Sequence, residues 1–244
     1  MTTLSERLQN VAELVTPGLR VADIGCDHGY LSMYLTEKKL AAHVIATDIN
    51  QGPLMRAKEH IRDAGLSTYI ETRLSDGLAQ IRPGEAECLI MAGMGGRLMI
   101  SILTNGKAVC DQAREIILQP QSEVSGVRHF LEEAHLKIIS ESIVYEDEKY
   151  YPMMKAVHGE MNLEKKIYYK YGKILLHEEN PVLHQFLLQE KQYYVNLYRE
   201  LACQDPTERV RERLAEVEEE LKLAEEALLL LDAPNPAELV RELK

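Results

Sequence analysis

From residue 19 to residue 134, short apolar runs of strand length alternate with stretches of helical periodicity. No other feature restricts the fold as strongly. Parallel strands need long crossovers, so the pattern specifies an α/β fold built on a mostly parallel sheet. The strand runs are Leu19–Ile24, Ala42–Thr47, Tyr69–Arg73, Ala86–Ala92 and Glu115–Leu118. Helices are expected over Tyr30–Lys38, Pro53–Ala64, Leu98–Leu103 and Glu123–Ala134. Another should open the chain, with Thr3 and Glu6 as its capping box. Ile138–Tyr145 and Tyr150–Val157 flank a polar turn at 146–149 and read as a hairpin, which gives the sheet an antiparallel edge.

After residue 158 no strand-like run follows. Val210, Leu214, Val217, Leu221, Ala224, Leu228 and Leu231 repeat at 4-3-4-3-4-3 spacing, the a and d positions of three heptads. Leu183, Leu187, Tyr194, Leu197 and Leu201 precede them at compatible spacing, with Glu190 the polar exception, and Asp205-Pro206 separates the two sets. The expectation is an α-helical antiparallel coiled-coil hairpin. Pro234 and Pro236 should end its second helix, with a short terminal helix around Leu239, Val240 and Leu243. The chain thus divides into domains 1–158 and 159–244.

Cys26, Cys88, Cys110 and Cys203 are scattered, with neither CxxC nor a Cys/His cluster. The expectations are no disulfide framework, no metal and a reducing cytoplasmic location. No apolar run approaches the roughly 20 residues of a membrane span and no signal peptide opens the chain, so no membrane partner is expected. The net charge of −11 argues against a protein coated in basic surface but leaves room for a local basic patch. The expectation is a monomer or weak dimer, although a hairpin within one chain and a coil between chains share the same heptads.

Chemistry concentrates where the strands end. Val21–Leu31 runs from strand through a turn with Gly25 and Gly29 into a helix. Glycine there lets backbone approach a ligand. The Gly-x-x-x-Gly spacing is not the Gly-x-Gly-x-x-Gly of dinucleotide folds and there is no P-loop, which weighs against NAD or FAD. Asp48, followed by Ile49, ends the second strand, where an acid can accept both ribose hydroxyls of a nucleoside or can cap a helix. Asp76-Gly77 follows the third strand and can meet an adenine amine or form an Asx turn. Ala92-Gly93-Met94-Gly95-Gly96 reads as a glycine-rich turn after the fourth strand, and Gln119-Pro120-Gln121 sits on the same rim.

These elements resemble class I S-adenosylmethionine-dependent methyltransferases, with their Rossmann-like fold. More narrowly, Leu4-Ser-x-Arg7-Leu8, Asp23-Ile-Gly-Cys-Asp-His-Gly29, Ala92–Gly96 and Leu118-Gln-Pro120 resemble bacterial tRNA adenine-N1 methyltransferases that modify adenosine 22 in the D-arm. The resemblance covers the first 158 residues, and a helical C-terminal domain also fits. Asp27 stands where many methyltransferases carry a second glycine, and Cys26 where a small Ser or Thr is expected. The resemblance implies S-adenosylmethionine as cofactor and tRNA as partner. It assigns Asp23, Gly25, Asp27, His28, Gly29, Asp48, Ile49, Asp76, Gly77, Ala92 and Gly93 to the cofactor, with Gly25, Asp27 and Gly29 near its methionine end, Asp48 at the ribose, and Asp76 with Gly77 near adenine. Asp27, with His28 beside it, is the candidate for stabilising a cationic product or taking a proton. Arg7, Met94, Gly95, Gly96, Gln119 and Pro120 are assigned to the substrate.

Lys165, Lys166, Lys170 and Lys173 form the one strongly basic-aromatic stretch and are the expected phosphate contacts, although a linking helix packed by its tyrosines fits the same residues. Two other readings remain open: a methyltransferase acting on another RNA or a small molecule, and a non-catalytic nucleotide-binding adaptor whose coiled coil holds a partner protein.

Overall fold

The computed structural model describes residues 2–233. Pro234, Pro236 and the terminal helix expected around Leu239 lie outside them. The chain separates into two compact units that meet between Asn162 and Leu163.

In the first unit, α1 (Glu6–Glu13) precedes β1 (Leu19–Ile24), α2 (Tyr30–Glu37), β2 (Ala41–Asp48), α3 (Gln51–Asp63), β3 (Ile70–Leu74) and β4 (Cys88–Gly95). Then come α4 (Gly96–Asn105), α5 (Lys107–Cys110), β5 (Glu115–Ser122), α6 (Val124–Glu133), β6 (Leu136–Glu146) and β7 (Lys149–His158). The seven strands form one sheet in the order β3-β2-β1-β4-β5-β7-β6. All pairings from β3 across to β5 are parallel, and β7 is antiparallel to both β5 and β6. The central strands are buried on both faces: Val21, Ala22, Val44, Ala46, Leu89, Ile90, Ile117 and Leu118 are fully enclosed. Near-continuous apolar runs are what a parallel sheet covered by helices requires. The β6–β7 hairpin turns on Asp147 and Glu148, both at positive φ, as a two-residue turn demands.

Two local expectations change. Ser5, not Thr3, caps α1 by accepting the Leu8 N–H, while the Glu6 N–H donates to Glu146. The glycine-rich segment 93–96 is no turn either. β4 continues through it, with register shifts on either side of Met94, and passes directly into α4 at Gly96. A Cβ on Gly96 would lie 2.5 Å from the Ser122 carbonyl oxygen and 2.9 Å from Val127. That glycine is a packing requirement of the β5–α6 junction.

The second unit holds α7 (Lys166–Tyr171), α8 (Lys173–His177), α9 (Pro181–Ala202) and α10 (Glu208–Leu231). Asn180 caps α9 and Thr207 caps α10. The pairing is antiparallel in heptad steps: His184 meets Asp232 at 3.2 Å, Lys191 meets Glu225 at 3.0 Å, and Tyr198 bonds Glu218. Val217, Ala224, Leu228 and Leu231 are buried on this seam, whereas Val210 and Leu214, near the turn, are only partly covered. Glu190 is tolerated there because Tyr171 Oη donates to it at 2.5 Å and Lys170 Nζ lies 3.3 Å away. Burial and this carboxylate push the Tyr171 phenol well above its ordinary pKa.

Candidate active site

Parallel register sets the ends of the central strands side by side, with Ile24 next to Thr47 on one flank and Met91 on the other. Since β1 is followed by crossovers to both sides, a crevice opens beyond its C-terminal end. The N–H groups of Gly25 and Cys26 both donate to the Thr47 carbonyl at 2.8 Å, which bends the chain sharply after β1. Gly25 (φ 74°), Asp27 (φ 51°) and Gly29 (φ 76°) are all left-handed. Gly29 caps α2, and a Cβ on it would come within 3.1 Å of Ala57 on α3. The left-handed φ favours glycine at that position, and the approach of Ala57 leaves little room for a side chain.

A cavity of about 340 Å³ occupies the crevice, walled by Arg7, Asp23, Gly25, Cys26, Asp27, His28, Tyr30, Ala92, Gly93, Met94 and Gln121 among others. Gly25 leaves the backbone bare at the cradle: its left-handed φ favours glycine, and a Cβ there would fall 2.3 Å from the flexible end of Met94. Asp23 is buried, and desolvation pushes its carboxyl up to about 6, against the lowering effect of the Ser32 hydroxyl donating at 2.6 Å. Asp27 is exposed at its side chain, with His28 Nε2 at 3.6 Å. Burial, with Asp23 nearby, pushes the Cys26 thiol above its ordinary value. Two carboxylates on one wall suit a ligand that carries positive charge.

Asp48 is buried and supports this turn. Its Oδ2 accepts the Asp27 N–H at 3.2 Å and its Oδ1 the Asn50 N–H at 2.7 Å. A carboxylate has roughly four acceptor positions, so capacity remains for ligand hydroxyls. Across the crevice, Gln119 Oε1 accepts from Arg7 Nη1 at 2.7 Å and from the Gly93 N–H at 3.0 Å. The Arg7 guanidinium also lies over the Tyr151 ring at 5.4 Å. One fully buried glutamine thus ties α1 to the end of β4.

Of the expected residues, the cavity wall gathers Asp23, Gly25, Asp27, His28, Ala92, Gly93, Met94 and Arg7. Asp48, Ile49, Gly77 and Gly29 lie outside that wall. Asp76 lines a separate cavity of about 550 Å³ with Leu98 and Ile102. Gly95 and Gly96 pack against Ser122 instead of reaching the cavity, and Gln119 and the buried Pro120 stand behind it. Gln121, expected on the same rim, lines the cavity as well. Cys26 and Tyr30 were not assigned to a ligand; Tyr30 directly follows the Asp23–Gly29 motif, which was its one signal.

The lysine stretch is already occupied. Lys166 pairs with Glu219 at 2.5 Å, Lys165 with Glu226 at 3.6 Å, and Lys170 with Glu220 and Glu190. Lys173 lies over the Tyr168 ring at 5.3 Å. Among the described residues no helix is long and apolar enough to cross a membrane.

Known proteins share this fold. A methyltransferase-domain family model matches residues 4–154. The tRNA (adenine(22)-N(1))-methyltransferase of Bacillus subtilis is 34% identical over 92% of this chain and 97% of its own length. The crystal structure of the B. subtilis M1A22 tRNA methyltransferase superposes with TM-score 0.84 at 33% identity, covering 93% of this chain and all of the other. A Streptococcus pneumoniae protein solved in complex with S-adenosyl-L-methionine gives 0.83 at 29% identity, with coverage of 93% and 100%. A wall of paired carboxylates at the end of β1, a likeness that runs through both units, and the family match together mean that this chain belongs to the tRNA (adenine(22)-N(1))-methyltransferase family of methyltransferase-domain proteins.

Proposed function

We propose that this chain transfers a methyl group from S-adenosylmethionine to N1 of adenosine 22 in the D-arm of tRNA. The observation that carries the reading is the match to the B. subtilis enzyme, which extends through the helical unit as well as the sheet.

The residues present fit the cofactor. The bare backbone at Gly25 and Gly93, and the carboxylates of Asp23 and Asp27, suit a cationic sulfonium and ammonium ligand. Gly25, Asp27, His28 and Gly29 would hold its methionine end, Asp48 its ribose, and Ile49, Asp76 and Gly77 its adenine. When bound, it supplies a methyl group on a reactive sulfonium. Adenine N1 already carries a lone pair, so the chain needs no strong base to create the nucleophile. Its task is placement, which can account for roughly 7–11 kcal/mol of a barrier. Asp48 holds the Asp27 backbone, and Gln119 holds Gly93 and Arg7. The methylated ring is cationic. The Asp27 carboxylate offsets that charge and can accept the proton lost from the amino group.

For tRNA, Arg7 is placed to meet a phosphate or base beside the cavity. Lys165 and Lys166 are half to three-quarters exposed, and ion pairs so open to solvent are weak, so phosphates can displace their glutamates. Lys173 completes the set. Lys170, held against Glu190 and Glu220 and facing Tyr171 and Tyr194, serves the packing of its own unit.

The test is incubation of the purified chain with labelled S-adenosylmethionine and an unmodified tRNA transcript, followed by nucleoside analysis and reverse transcription. Label in 1-methyladenosine and a halt at position 22 are expected. Label that persists when adenosine 22 is replaced would refute the site, and no label in tRNA would refute the activity.

A further inference from the structure

Three rings meet at the mouth of the cavity. His28 and Tyr30 are 5.8 Å apart between centroids and inclined by 29°, His28 and His60 6.0 Å and 29°, and Tyr30 and His60 5.3 Å and 19°. Their planes are nearly parallel, yet the centroids form a triangle instead of a column. No ring is sandwiched between the other two, so each keeps open surface. Tyr30 is 44% exposed although it lines the cavity and begins α2. His60, from α3, is anchored: its Nδ1 lies 3.1 Å from the His28 carbonyl, which can only accept, so Nδ1 carries the proton. The Nδ1 atom of His28 is buried with no hydrogen-bond partner among the described residues. None of the three rings belongs to the buried core, and exposed aromatic faces beside a cavity can serve stacking on a planar ligand.

We infer that Tyr30 is the face on which the target adenine stacks when it enters the cavity, and that His60 is a positioning residue that holds the Tyr30 ring at the required inclination. This rests on the functional reading above. An extruded base loses its neighbours in the stack, and an aromatic face restores that contact without reading sequence. α2 and α3 hold the platform in place, so the base is met by a preset surface on the same wall as Asp27.

Steady-state methylation of an unmodified tRNA transcript by the full chain tests this, with calorimetric S-adenosylmethionine affinity measured alongside. Tyr30→Phe keeps the ring face and should stay within about threefold of wild type in kcat/KM. Tyr30→Ala should lose about ten- to a hundredfold, the range of one base–aromatic stack, with cofactor affinity unchanged. His60→Ala should lose about two- to tenfold, seen in KM more than in kcat. If Tyr30→Ala fails to melt cooperatively, Tyr30→Leu keeps bulk without a π face and takes its place. Wild-type turnover with an indifferent Tyr30→Ala overturns the stacking role alone. An equal loss of cofactor affinity overturns it in favour of a cofactor contact, and no wild-type turnover on tRNA overturns both readings.

Discussion

Replacing Asp27 with Asn separates a charge from the backbone geometry that carries it. Asp27 sits at φ 51°, a left-handed conformation that Asn adopts as readily as Asp, so the turn after β1 should keep its shape. Its side chain is 67% exposed, with His28 Nε2 at 3.6 Å, so no buried partner is stranded. What disappears is one negative charge on the cavity wall. Two unit charges 4 Å apart interact by about 1 kcal/mol in water and about 4 kcal/mol at an effective dielectric of 20. A carboxylate two-thirds exposed lies toward the weaker limit, which gives about 1–2 kcal/mol, or a rate loss of about 5- to 30-fold. A residue that also takes the proton would cost more, about 10²- to 10⁴-fold. Single-turnover methylation of tRNA at saturating cofactor and enzyme reads this step directly, with cofactor affinity measured by calorimetry. A rate equal to wild type would refute the role of Asp27 in charge stabilisation. A loss found only in cofactor affinity would assign Asp27 to the methionine end.

Asp48→Ala removes the acceptor of two backbone N–H groups and of the expected ribose hydroxyls, and should weaken S-adenosylmethionine binding by about 1–3 kcal/mol in calorimetry; unchanged affinity would take Asp48 out of the site. Replacing Lys165, Lys166 and Lys173 together with Gln should lower tRNA affinity and flatten its salt dependence. Lys170→Gln should instead lower the melting temperature, and a reversed pattern would exchange the roles given to these lysines. Glu115 responds to pH: burial pushes its carboxyl up, but Lys155 at 2.8 Å and two donors from Thr16 outweigh it and hold it below the ordinary 4.5. With its folded pKa depressed, its contribution is present above about pH 5 and lost as pH falls through the folded value, so urea midpoints of wild type and Glu115→Gln should converge in acid and separate near neutrality. Parallel profiles would contradict this.

The sheet was legible because its strands are apolar on both faces and its helices carry one apolar stripe, patterns that do not depend on tertiary partners. Strand ends and glycine roles were less so. Gly93 and Gly96 look alike in sequence, yet one borders a cavity and the other lies under the Ser122 carbonyl. Only the path of β5 distinguishes them. The Asp23–Gly29 motif marked the turn, but His60, from the next helix, reaches the same place through packing. The lysines stood out as a basic run because the glutamates that pair with them are about fifty residues away in sequence. Glu190 looked like an error in the seam until Tyr171 supplied its donor.

The contacts of α9 and α10 advance by seven residues on one helix as they retreat by seven on the other, from 184 with 232 to 198 with 218. Arm length is therefore a paired quantity. Removing seven residues from one helix alone would bring each apolar layer opposite the wrong neighbour and leave overhanging chain. Removing seven from both would shorten the arm by about 10 Å and preserve every remaining layer. Relatives of this protein should accordingly differ in arm length by matched insertions on either side of the turn, and an arm redesigned in such increments works as a ruler for the span the helical unit itself must cover.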